Sequence, residues 1–162
     1  MNPVSIKIIE YVNYIENHRD NVFTSWRLLQ EPCKNMNFIY DDYLYERITE
    51  NINNHDMSKY SEDEFIQYRK RFFPLTDAIK VQKDEVFEKA WEHHKEYNSH
   101  HWQRVGIDGQ IEDVVEMVCD WMAMGMKFGD TAESYYLKNS DEIKLQDWQV
   151  STIKEIFEAI KV

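Results

Sequence analysis

Glycine and proline are scarce in this 162-residue chain, with 4 Gly and 3 Pro. That is too few to punctuate the many short strands of a sandwich or barrel, and it argues for helices. Cysteine is scarcer still. Cys33 and Cys119 stand alone and suggest neither a metal knuckle nor a disulfide framework, which fits a reducing cytoplasm. No apolar run approaches the ~20 residues that a membrane span needs. The opening Met1-Asn2-Pro3-Val4-Ser5-Ile6-Lys7 also lacks the basic and then apolar regions of a secretion signal. A soluble, cytoplasmic protein without a membrane partner is expected. Positive charge is in deficit as well: 19 basic against 30 acidic side chains give −11 at pH 7. A surface of that sign repels phosphate backbones and disfavours sequence-independent nucleic-acid binding. No G-x-G-x-x-G, Walker A, G-x-S-x-G or C-x-x-C pattern occurs, so dinucleotide, P-loop, serine-hydrolase and redox-motif readings lack support.

Apolar residues are plentiful at 43%, with 14% aromatic, in a chain of the length usual for one domain. Between Val4 and Gln30, Ile8, Tyr11, Ile15, Val22, Trp26 and Leu29 recur at spacings of three, four or seven, which predicts a long amphipathic helix stopped near Pro32. A second helix is predicted over Phe38 to Asn53. Ser61-Glu62-Asp63-Glu64 reads as a capping box opening a third, which ends before Pro74. A fourth is predicted from Lys83 to Trp102, followed by a turn at Gly106-Ile107-Asp108-Gly109. Ile111 to Phe128 is the most apolar helix, with Gly129 as its C-cap glycine. Thr131 to Lys144 reads as an irregular polar connection, and Leu145 to Ile160 as a last helix. The expectation is an all-α bundle of about six helices, a single domain over residues 1–162.

Six histidines in an acidic helical chain point to metal chemistry, because imidazole and carboxylate together suit Zn, Mn, Fe or Ni. His18 lies three after Ile15 and four before Val22, so it continues the apolar stripe of its helix. His55 likewise follows Ile52 by three, and Asp56 comes next. On the predicted fourth helix, Phe87, Ala90, His94, Tyr97 and His101 share the inward face. His93 and His100 instead align with Lys89, Glu96 and Arg104, a solvated face. Seven residues between His94 and His101 amount to ~10.5 Å of helical rise. The pair therefore suits two different ions, or one ligand and one substrate contact. Asp120 falls with Asp113, Glu116 and Lys127 on the polar side of its helix, so its periodicity alone makes it a solvated carboxylate. For His18, and for the pair His94 and His101, the plain alternative is a core residue hydrogen-bonded within the fold; for Lys59 it is a solvated surface lysine.

The string His55-Asp56-Met57-Ser58-Lys59 resembles the H-D-x-G-K signature of the HD-domain metal-dependent phosphohydrolase superfamily, with Ser58 where many members carry Gly. Trp91-Glu92-His93-His94, Asn98-Ser99-His100-His101-Trp102 and Glu116-Met117-Val118-Cys119-Asp120-Trp121 are in turn similar to a bacterial and phage family of unknown function that shares H-D-x-S-K followed by His pairs. The first resemblance implies a helical fold. It also implies a divalent ion held by His18, His55, Asp56 and Asp120, with His94 and His101 at a second ion or at the substrate.

The reaction so implied is hydrolysis of a small phosphate ester, with a nucleotide as one candidate. One or two ions of Mn, Fe, Co, Ni, Zn or Mg would serve it, with Asp56 and Lys59 as catalytic groups. Lys59 would hold a phosphoryl oxygen, and Tyr97, Asn98 and Trp102 would contact substrate. Two alternatives stay open. Some HD-fold members resemble di-iron oxygenases, which would keep the same ligands. A small helical binding or regulatory protein of phage or bacterial origin would keep the His-Asp site only as structure.

Overall fold

The computed structural model describes residues 2–76 and 84–161 and is all-helical, with no strand among the described residues. The expected fold class is the observed one. Helix α1 is Pro3–Cys33, α2 is Asp42–Asn54, α3 is Phe65–Phe72 and α4 is Glu85–Tyr97. They are followed by α5 at Trp102–Asp108, α6 at Ile111–Phe128, α7 at Ala132–Asn139 and α8 at Asp147–Ile160, and a 3-10 turn, Met57–Tyr60, lies between α2 and α3. No helix among the described residues is long and apolar enough to cross a membrane.

Contacts divide the chain into two compact units. The first comprises the chain up to Asn17 together with Asp56–Asn98; the second comprises His18–His55 together with the chain from Ser99 onward. In the second unit the core is built on α6, whose residues Val114, Val115, Met117, Val118, Cys119, Ala123 and Gly125 are all buried. Val22, Trp26, Leu29 and Cys33 of α1, Leu44, Ile48 and Ile52 of α2, and Ile153, Ile156 and Phe157 of α8 complete it. In the first unit Tyr11, Ile15, Tyr68 and Ala90 are the buried centre, and Tyr14, Tyr60, Phe65, Phe73, Phe87 and Trp91 pack around them.

Caps explain where most helices begin. The Asp41 carboxylate accepts from Leu44 N at 2.9 Å and starts α2 there rather than at Phe38. Asp84 does the same for α4, accepting from Val86 N at 3.1 Å; the predicted start at Lys83 lies outside the described residues. Thr131 accepts from Ser134 N and caps α7, so the stretch read as an irregular connection contains a helix. The expected turn at Gly106–Gly109 is instead the end of α5. Its backbone passes so close to the chain before α8 that a Cβ at Gly106 would meet Lys144 O at 2.0 Å. Gly129 does end α6, at φ 72°.

Two local expectations fail for one reason: polar side chains are used elsewhere. The predicted capping box of Ser61 and Glu64 does not form. Glu64 is itself the residue before α3, and its carboxylate bonds His93 and His94. The predicted single helix from Lys83 to Trp102 breaks at Asn98. There the Asn98 amide donates to His94 O at 2.7 Å and to Ser58 Oγ at 2.7 Å, holding an extended backbone. The helical register drawn through His100 and His101 therefore has no helix beneath it.

Candidate metal centre

In the second unit, three helices deliver ligand atoms to one place. His18 comes from the buried stripe of α1, His55 caps the C-terminus of α2, and Asp120 comes from α6. His18 Nε2 lies 3.0 Å from Asp120 Oδ1 and 3.2 Å from His55 Nε2. His55 Nε2 lies 3.8 Å from the same Asp120 oxygen. For metal–ligand bonds of about 2.1 Å in a tetrahedral site, neighbouring ligand atoms stand about 3.4 Å apart. The three separations bracket that spacing, so the donor set fits a divalent ion in both geometry and chemistry.

Neighbouring contacts fix the set. Arg19, one residue after His18, donates from Nε to His55 O at 3.0 Å and from Nη2 to Asn53 O at 2.7 Å. It thereby satisfies carbonyls orphaned at the end of α2 and holds the backbone that carries His55. Burial alone would raise the Asp120 carboxyl. The bond from His18 and the charges of His18, His55 and His100 outweigh it and hold that carboxyl well below the usual range.

Asp120 and Glu116 correct the reading of α6 as half-solvated. This helix is buried nearly all round, so the side opposite its apolar centre line is also interior. Glu112, Glu116 and Asp120 form a stripe at i, i+4 and i+8, and each has a basic partner. Glu112 meets Arg47 Nε at 2.7 Å, and Asp120 meets His18. Glu116 Oε1 lies 2.8 Å from His55 Nδ1 and 3.0 Å from His100 Nδ1. The usable signal for these residues was carboxylates at four-residue spacing on the most apolar helix of the chain. His100, expected on a solvated face, is only 1% exposed, because the break at Asn98 removes it from the α4 register.

In the first unit the residues gather around His94. Its Nε2 lies 3.2 Å from Asp56 Oδ1, and its Nδ1 lies 2.7 Å from Glu64 Oε2 and 3.1 Å from Ser58 Oγ. The other Glu64 oxygen takes His93 Nδ1 at 2.7 Å. Burial alone would push His94 down, but the Asp56 and Glu64 carboxylates push it up. Burial would raise Glu64, yet its bonds to the two histidines keep it low. Asp56 adopts φ 59°, ψ 14°, the one positive φ outside glycine among the described residues. The His-Asp pair therefore sits on a sharp backbone bend after α2, not on a helix. Asp tolerates this left-handed conformation better than most residues.

The remaining predicted positions separate. Lys59 is buried, with Nζ 2.5 Å from Asp56 Oδ2 and over the Tyr68 ring, so it is not a solvated lysine. Asn98 is spent on the break after α4. Tyr97, expected inward, is 68% exposed and stacks on His93. Trp102 packs against the core of the second unit. His101 caps the start of α5, its ring 4.3 Å from that of His100.

The model of a family of unknown function, DUF5662, matches residues 7–160, and the chain belongs to that family. No curated protein and no solved structure matches it.

Proposed function

We propose that this member of the family is a metal-dependent phosphohydrolase whose divalent ion is held by His18, His55 and Asp120. The convergence of their three ligand atoms, 3.0 to 3.8 Å apart, carries the reading. The H-D-x-S-K string from His55 to Lys59, on which the resemblance to metal-dependent phosphohydrolases rests, supports the same reading. When bound, such an ion supplies a Lewis acid for a phosphoryl oxygen and a water nucleophile that ionises near neutral pH.

The protein's own groups do the rest. Arg19 holds the His55 backbone, which keeps its ring aimed at His18 and Asp120. Lys59, paired with Asp56, brings a compact positive charge beside that carboxylate, suited to one oxygen of an anionic substrate. Glu64 and Asp56 grip the two nitrogens of His94 and fix its ring for a second ion or for substrate. The substrate class favoured is a small phosphate ester.

The test is metal stoichiometry after growth in supplemented medium, together with hydrolysis of a generic phosphomonoester and phosphodiester with Mn, Co or Ni. His55→Ala should lose bound metal and turnover. Retained iron without phosphate-ester hydrolysis would favour the oxygenase reading, and no metal at all a binding protein.

A further inference from the structure

Glu116 belongs to neither the H-D-x-S-K string nor the ligand set above, yet it is the most buried carboxylate among the described residues of the second unit. It is 4% exposed, and its Oε1 is hydrogen-bonded to His55 Nδ1 at 2.8 Å; His100 Nδ1 stands 3.0 Å from the same oxygen but outside hydrogen-bonding geometry. A carboxylate oxygen only accepts, so the His55 ring presents Nδ1–H to it. In the neutral ring Nε2 is then the lone-pair nitrogen. For His55 that nitrogen is the one that lies 3.2 Å from His18 Nε2 and 3.8 Å from Asp120 Oδ1. The His100 ring lies against the His55 ring, with centroids 4.2 Å apart and planes 36° from parallel.

We infer that Glu116 is a positioning residue that locks His55 in the Nδ1–H tautomer and so commits its Nε2 atom to ligand duty. The inference rests on the metal-site reading for its consequence, but not for its geometry. A carboxylate behind a ligating imidazole fixes ring orientation and raises ligand basicity, and its loss typically costs about 10–100-fold in metal affinity. The His55 N–H also gives this carboxylate a donor in place of water on so apolar a helix.

The experiment uses the full chain, metal-free, labelled with ¹⁵N at histidine. Long-range ¹H–¹⁵N correlations above pH 8 should show His55 protonated at Nδ1 in the wild type. It should shift toward Nε2–H or a mixture in Glu116→Ala. Titration with Mn²⁺ or Ni²⁺ should give a Kd about 10–100-fold weaker in that variant. Glu116→Gln keeps the side-chain volume and serves where the alanine variant folds poorly. Its amide oxygen accepts without charge, so its Kd should fall between the other two. A merely structural Glu116 would lower the melting temperature of the metal-free protein and leave the Kd and the tautomers of the folded molecules unchanged.

Nε2–H on His55 in the wild type would overturn the inference. A wild type that binds neither ion would end the metal reading, while the tautomers still decide the role of Glu116.

Discussion

The two compact units bury different chemistry. The second closes mainly apolar side chains around α6, with the cluster of His18, His55, Glu116 and Asp120 set into that core. The first centres on tyrosines and partly buried aromatic rings, with the Glu64, His93, His94 and Asp56 network beside them. Two of its buried phenols, Tyr11 and Tyr68, are driven far up by burial and by the Asp56 and Glu64 charges. Dispersion and solvent exclusion dominate the larger apolar core of the second unit; the first has Tyr11, Ile15, Tyr68 and Ala90 buried at its centre and relies more on rings packed around them. The difference teaches where stability and ligand affinity can be altered separately.

The largest effect should come from the second unit. Trp26 is fully buried, and its indole N–H donates to Thr49 Oγ1 at 3.2 Å. Trp26→Ala should cost about 3–5 kcal/mol, read from the denaturant midpoint at constant slope. Phe65→Ala removes a ring that is only partly buried and should cost less than about 3 kcal/mol. Equal losses would erase the comparison.

Next comes the candidate ion site. His18→Ala should weaken Mn²⁺ or Ni²⁺ binding by at least the about 10–100-fold that loss of an outer partner costs. His18 precedes His55 by 37 positions, and only the tertiary fold makes them neighbours. Were His18 a core residue alone, the variant would melt earlier and bind the ion as before. Isothermal titration beside a melting curve separates the two.

The ease of reading these residues differed for physical reasons. His18 and His55 were legible because they continue apolar stripes, and a buried stripe marks its members whatever their chemistry. Gly129 and the α6 boundaries were legible from local conformational preference. Glu116 and His100 were not. Periodicity assigns a polar residue on an amphipathic helix to solvent, and this rule fails on α6, which is covered on every side. His100 failed one step earlier, because the helix carrying its register stops where Asn98 takes the His94 carbonyl. Glu64 was misassigned because a capping box and a histidine clamp ask for the same residue type; only the fold decides between them.

The network of the first unit predicts a pH signature. Glu64 titrates below its usual 4.5 when folded, so its contribution is present above that value and is lost as pH falls through the folded one. His94 titrates above its usual 6.5, so its contribution is full below that value and is lost as pH rises through the folded one. The pair therefore stabilises most between these two ordinary values. In metal-free protein, Glu64→Gln should cost about 1–3 kcal/mol in that window, and less at pH 3 or pH 9. A flat pH dependence would mean that the clamp holds neutral groups, and the contrast with the second unit would narrow.

The smallest effect on stability should come from Tyr97, at the last turn of α4. Its ring is mostly exposed and stacks on His93 with centroids 4.3 Å apart and planes 22° from parallel. Removal opens no cavity, so Tyr97→Ala should stay within about 0.5 kcal/mol of the wild type. Function is the sharper readout. An exposed ring of this kind offers a face to a flat heterocycle, and a stacked base is worth about 1–3 kcal/mol. If the phosphate ester carries a base that stacks there, KM should rise by about 5- to 150-fold with kcat little changed, since the contact is made equally in ground and transition states. Nucleotide and simple alkyl phosphates measured side by side decide it. A KM change confined to the nucleotide assigns Tyr97 to substrate, and no change for either leaves it an exposed ring resting on His93.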